Sequence, residues 1–137
     1  MKKALNVTIF GEIRELDMTG DPLKTLQDGV AGLVEAIDLS YDLTMWVNEE
    51  GKNIELPHNP FAQTLWDEAF GEGSDYIFGD VMFTGGTDQY GNTKGITIKK
   101  EQHVREKIHG VFNAIFSQLI HTQNQPLHDL VTRAEKA

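Results

Sequence analysis

Cysteine is absent from this chain. That absence excludes disulfides, thiolate nucleophiles and Cys-based zinc or iron–sulfur sites, and a reducing compartment fits it. Long apolar runs are missing as well: no stretch approaches the roughly 18 residues a bilayer requires. The N-terminal MKKALNVTIFGEIREL pairs its lysines with only a short, interrupted apolar segment, unlike a cleavable leader. The expectation is a soluble cytoplasmic protein with no membrane segment. Proline is scarce, at 4 in 137 residues, and the chain shows no Pro/Ser-rich linker, repeat or low-complexity tract. Basic side chains are scarce where acids are dense: residues 1–91 hold 17 acidic against 5 basic, and residues 92–137 hold 4 against 7. A surface of that sign repels phosphate backbones, so direct nucleic-acid binding is disfavoured except through the C-terminal third. A chain of 137 residues can bury about two-thirds of its unfolded surface, so no cofactor or metal is needed to explain folding.

What is present reads as alternating strands and capped helices. Leu5, Val7 and Ile9 alternate with Asn6, Thr8 and Phe10, and Gly11-Glu12 turns the chain into Ile13–Leu16, a short hairpin. Asp21-Pro22 is a cap followed by an N1 proline, opening a helix with Leu23, Leu26 and Val30 on one face. Residues 33–39 and 43–48 read as strands joined by Ser40-Tyr41-Asp42, with Leu43, Met45 and Val47 on one face and Thr44, Trp46 and Asn48 on the other. Asn48-Glu49-Glu50-Gly51 has the form of a turn, after which Ile54 and Leu56 resume the alternation until Pro57. Asn59-Pro60 repeats the cap-plus-proline device, and Phe61, Leu65 and Ala69 mark a helix ending near Gly71. Strands are expected at 76–84 and 95–99, joined by the glycine-rich TGGTDQYGNTKG.

A long amphipathic helix follows from about Glu101 to Thr122, carrying Val104, Ile108, Val111, Phe112, Ile115, Leu119 and Ile120 with Phe116 beside them. Beyond Gln125-Pro126, Leu127, Leu130, Val131 and Ala134 mark a short terminal helix. The fold class is α+β: a mainly antiparallel sheet with two short helices, then a C-terminal helical hairpin. We divide the chain into a sheet domain, 1–99, and a helical extension, 100–137, that packs on it or drives oligomerisation.

No catalytic set emerges. Glu49 and Glu50 are adjacent, so an extended strand would point them to opposite faces, and an exposed turn does not shift carboxylate pKa values. A hydrolase using His58 with either glutamate is therefore the weakest reading. The histidines lack metal-ligand spacing, and Ser40, Ser74 and Ser117 lack a nucleophile-elbow context. The 84–95 loop fails both the phosphate-loop and the calcium-loop patterns, yet its length makes it the best carrier of binding residues. Asp88, Tyr90 and Asn92 stand at its tip and Lys94 at its exit. Lys94, Lys99, Lys100 and Arg105 could hold phosphates while Trp46 or Tyr90 stacks on a base, with Asn48 nearby as a polar contact. The apolar stripe Ile108, Phe112, Ile115, Phe116 and Leu119 either covers the protein's own sheet or pairs helices across a two-fold axis in a homo-oligomer.

The run VEAIDLSYDLTMWVNEEGKNIELPHNPFAQTLW, followed by DYIFGDVMFTG, resembles a domain family common in phages and mobile elements, domain-of-unknown-function family 3846. The positions that match its pattern are Ile37, Leu39, Asp42, Leu43, Val47 to Gly51, Leu56, Pro57, Asn59, Ala62, Ile77, Gly79 and Gly85. The likeness covers roughly residues 5–99 and leaves out the C-terminal helices. It brings no activity and no catalytic residue. It implies a phage or mobile-element accessory protein acting in the cytoplasm of a bacterial host. The preferred expectation is a non-enzymatic protein that binds and inhibits an unidentified host protein, such as a defence protein. A sponge for a nucleotide-like immune signal and an acidic DNA mimic are its rivals.

Overall fold

A computed structural model describes residues 1–122. β1 (Lys3–Val7) and β2 (Ile13–Asp17) form the first hairpin. Its bend needs Gly11, whose φ is 79° and where a Cβ would lie within 2.7 Å of both the Phe112 and Phe61 rings. Ile9 does not extend the alternation: its N–H donates to Asp80 Oδ1 at 3.0 Å, outside β1.

α1 (Pro22–Val30) starts where the cap-plus-proline pattern places it, with Asp21 accepting from the Lys24 N–H at 3.1 Å. Leu26 and Val30 are buried, whereas Leu23 is 54% exposed and does not share their contact. β3 (Val34–Ser40) and β4 (Leu43–Asn48) form the second hairpin about Tyr41-Asp42. α2 (Pro60–Phe70) is capped by Asn59, whose Oδ1 accepts from the Phe61 and Ala62 N–H groups at 3.2 and 3.0 Å, and it stops at Gly71. β5 (Val81–Thr84) and α3 (Ile98–Thr122) complete the described chain.

The sheet order is β2-β1-β5-β4-β3, with every neighbouring pair antiparallel, so the α+β class holds. Strand alternation gives the sheet two covered faces. Leu5, Val7, Val81, Phe83, Leu43 and Met45 meet Phe61 and Leu65 of α2 and Val104 and Ile108 of α3 in the larger core. Ala4 and Met82 meet Leu26 and Val30 of α1 in a smaller one, with Trp46 packed against it. The face expected to oppose the core is therefore itself buried under α1. Its polar residues are buried with hydrogen-bond partners there: Asn6 donates to Gly29 O and Val81 O at 3.1 and 3.0 Å, and Thr84 accepts from Trp46 at 2.8 Å.

Three expected strands change. Residues 53–56 form no strand: Ile54 N–H bonds Glu50 O and Leu56 N–H bonds Gly51 O, both at 3.0 Å, and Glu55 takes a left-handed φ of 56°. The 76–84 strand shrinks to β5, because Gly79 at φ 81° bends the chain and its N–H bonds Pro57 O at 2.7 Å. The 95–99 strand is absent. Ile96 is buried and its N–H bonds Lys3 O at 2.8 Å, and α3 begins two residues later, with Thr97 Oγ1 accepting from the Lys100 N–H at 3.2 Å. The short terminal helix marked by Leu127, Leu130, Val131 and Ala134, and with it the second arm of the helical hairpin, lies outside the described residues.

Candidate functional site

The turn after β4 builds one wall of a cleft. Asn48, only 7% exposed, donates through Nδ2 to Val30 O at 3.1 Å and accepts at Oδ1 from the Glu50 N–H at 2.8 Å. One side chain thus ties the end of α1 to the turn. The opposite wall is Asp75–Phe78, held by Gln63 of α2: Nε2 donates to Asp75 O and Oε1 accepts from the Ile77 N–H, each at 2.9 Å. Gln63 Oε1 also lies 3.0 Å from His58 Nε2, and the His58 ring stands edge-on to Tyr76 and Phe78. His58 is thereby a packing residue of this wall.

Between the walls lies a cleft of about 200 Å³ that includes Ile37, Val47 and Ile77 as apolar lining and Glu35, Glu49 and Asp75 as carboxylates. A second, more open cleft of about 450 Å³ shares Lys52, Asp75 and Tyr76 with it and adds Glu55. Lys52 and Asp75 form an ion pair across the walls. That hydrogen bond, the Tyr76 N–H and the Lys52 charge hold the Asp75 carboxyl below the usual aspartate range, against a smaller opposing push from burial. Among the described residues no basic side chain pairs with Glu35, Glu49 or Glu55. Apolar lining beside unmatched carboxylates suits a cationic head on an aliphatic stem, the chemistry of a lysine or arginine side chain.

The other side of the molecule is closed electrostatically. Lys3 pairs with Glu15 and Glu101 at 3.3 and 3.0 Å, and Arg105 pairs with the same two carboxylates at 3.0 and 2.9 Å. Two cations and two anions complete a cycle joining β1, β2 and α3.

The residues expected to bind a nucleotide are not brought together. Trp46 packs on the α1 face and donates from Nε1 to Thr84 Oγ1 at 2.8 Å, whereas α3 with Arg105 lies across the opposite face. Asn48 is the structural tie described above. Lys100 pairs with Asp42 at 3.4 Å, Arg105 belongs to the four-member cycle, and Lys99 is exposed on the first turn of α3. In the 84–95 loop, Asp88 Oδ1 accepts from the Tyr90 and Asn92 N–H groups at 2.8 and 2.9 Å, which shapes the tip and leaves Tyr90 79% exposed. Lys94 closes the loop through backbone bonds to Gly85 and Gly86 at 2.9 and 2.8 Å.

Of the stripe expected to pair helices, Ile108 is buried in the protein's own core and unavailable to a partner. Phe112 leans on Phe61 with ring centroids 4.8 Å apart. Ile115, Phe116 and Leu119 are exposed. Sequence reasoning missed Glu35, Lys52 and Asp75. The turn itself was legible, but nothing local shows that Asp75 lies across from Lys52.

The fold and site define a five-stranded antiparallel α+β domain with helices on both faces and an acidic cleft at the β3–β4 end. The family described as Domain of unknown function (DUF3846) matches residues 1–109, and the chain belongs to that family. The matched span runs past residue 99 into α3, where Val104 and Ile108 enter the core. No curated protein and no solved structure matches the chain. Among the described residues, no helix is long and apolar enough to cross a membrane.

Proposed function

We propose that this chain is a non-enzymatic accessory protein of phage or mobile-element type that binds and inhibits a host protein, gripping a basic side chain of that partner in the acidic cleft. The observation that carries this reading is the contrast in charge matching. Glu15 and Glu101 are each held by two cations, while among the described residues Glu35 and Glu49 stand unmatched around a cleft of mixed polar and apolar lining. Desolvating a carboxylate is costly unless a cation meets it, so a partner supplying that cation is favoured over one that does not.

The nucleotide-sponge reading has less support, since phosphates would have to displace Glu101 and Glu15 from Arg105 and Asp42 from Lys100. A DNA mimic would share the acidic chemistry but needs carboxylates in an extended row, whereas Glu35, Glu49 and Asp75 gather about one cleft. The test compares proteins retained from a bacterial host lysate by the immobilised wild-type chain and by a Glu35→Lys/Glu49→Lys variant. A stoichiometric partner kept by the first and lost by the second supports the reading. Identical retention by both chains, or no stoichiometric partner, overturns it.

A further inference from the structure

The distal half of α3 carries a feature that the cleft does not use. Phe112, Ile115, Phe116 and Ile120 are 43%, 44%, 63% and 46% exposed. At 3.6 residues per turn they fall within one arc of roughly 140°. Beside that arc is a concavity of about 430 Å³ whose lining includes Gly11, Ile13, Ile108 and Phe112. A projecting aromatic and an apolar socket therefore lie one helical turn apart on the same face.

The charge pattern selects the occupant. Between Lys107 and Thr122 the helix contains no Asp, Glu, Lys or Arg, although the chain as a whole carries −9. A basic partner attracted by that charge would find nothing to pair with on this stripe. An interfacial membrane helix would need Lys or Arg along its polar side, where this one has Asn113, Ser117 and Gln118. A second copy fits: a two-fold interface sets like against like, which the uncharged stripe beyond Lys107 permits, and the Arg105 and Glu106 that also line the socket are of opposite sign.

We propose that two copies of this chain pair through α3 about a two-fold axis, antiparallel, with Phe116 of each copy seated in the socket beside Phe112 of the other. Antiparallel pairing is the arrangement that sets residue 116 opposite residue 112, and it also opposes the two helix dipoles. The assignment rests on α3 alone and is independent of the cleft.

The test is the solution mass of the full chain by light scattering and native mass spectrometry across a concentration series, for wild type, Phe116→Leu and Phe116→Glu, with circular dichroism confirming that each is folded. The expected result is a dimer for wild type and Phe116→Leu, and association weakened by about tenfold or more in Phe116→Glu. A wild-type mass of one chain throughout the series overturns the proposal. So does a dimer that Phe116→Glu leaves intact.

Discussion

The two halves of α3 share one hydrophobic periodicity and meet opposite fates. From Ile98 to Ile108 the helix lies on the sheet, with Val104 and Ile108 at 0% and 2% exposure and Glu101 and Arg105 locked to β1 and β2. From Gly110 onward the same apolar spacing continues, yet Phe116 is 63% exposed and charge is missing. Periodicity states which side of a helix wants an apolar neighbour. Whether the neighbour comes from the same chain depends on where the sheet ends.

The largest effect belongs to the buried half of α3. Ile108→Ala should destabilise the fold by about 2–4 kcal/mol through lost burial and a residual cavity, read as a lowered denaturant midpoint. An effect below about 0.5 kcal/mol, the usual range for an exposed site, would place Ile108 outside the core. Next comes the charge cycle. Burial pushes the Glu101 carboxyl up, but hydrogen bonds from Lys3 and Arg105 with their attraction outweigh it and hold the carboxyl below its ordinary value of 4.5. A carboxylate depressed in the folded state contributes stability above its unfolded pKa and loses it as the pH falls through the folded one. Glu101→Gln should therefore cost stability at neutral pH, and its difference from wild type should shrink below pH 4.5. A difference that stays constant down to strongly acidic pH would refute the assignment.

Smaller effects sharpen the other half. Phe116→Ala should change stability by no more than about 0.5 kcal/mol in dilute solution, and its deficit should grow with protein concentration because only the pair uses that ring. A large, concentration-independent loss would place Phe116 in an intrachain core. Smallest of all, Glu35→Gln and Glu49→Gln should leave the thermal midpoint within about 1–2 °C of wild type, since neither carboxylate forms an ion pair among the described residues. A clear loss of stability would show that they serve the fold rather than a partner.

The caps were the most legible part of the sequence. Asp21-Pro22 and Asn59-Pro60 encode local geometry in adjacent residues, and both helices begin there. The β3–β4 hairpin was legible because six alternating residues and a short turn leave little choice of register. The GITIK segment was misleading: Ile96 and Ile98 alternate as in a strand, but Ile96 is buried and Ile98 is 76% exposed on the first turn of a helix. Two apolar positions do not establish a period. Thr44 and Asn48 stood on the face opposite the apolar stripe of β4, and both are buried under α1 together with Thr84. Their hydrogen bonds reach groups distant in sequence, such as Trp46 to Thr84 and Asn48 to Val30, which no local pattern records. The cleft was half legible for the same reason: its turn is local, whereas Lys52 and Asp75 lie 23 residues apart.

The position of β5 has a consequence for the newly made chain. This four-residue strand stands between β1 and β4 and, among the described residues, is the only strand in the sheet that joins the two hairpins. Each hairpin can close soon after it leaves the ribosome, and the second can meet α1, but neither has a strand to pair with across the sheet until residues 81–84 emerge, and the larger core waits further for Val104 and Ile108. The N-terminal strand thus spends most of synthesis with one edge unsatisfied. During that interval it is open to a chaperone or protease, and the amides of β5 in the finished protein should be the last to exchange with solvent.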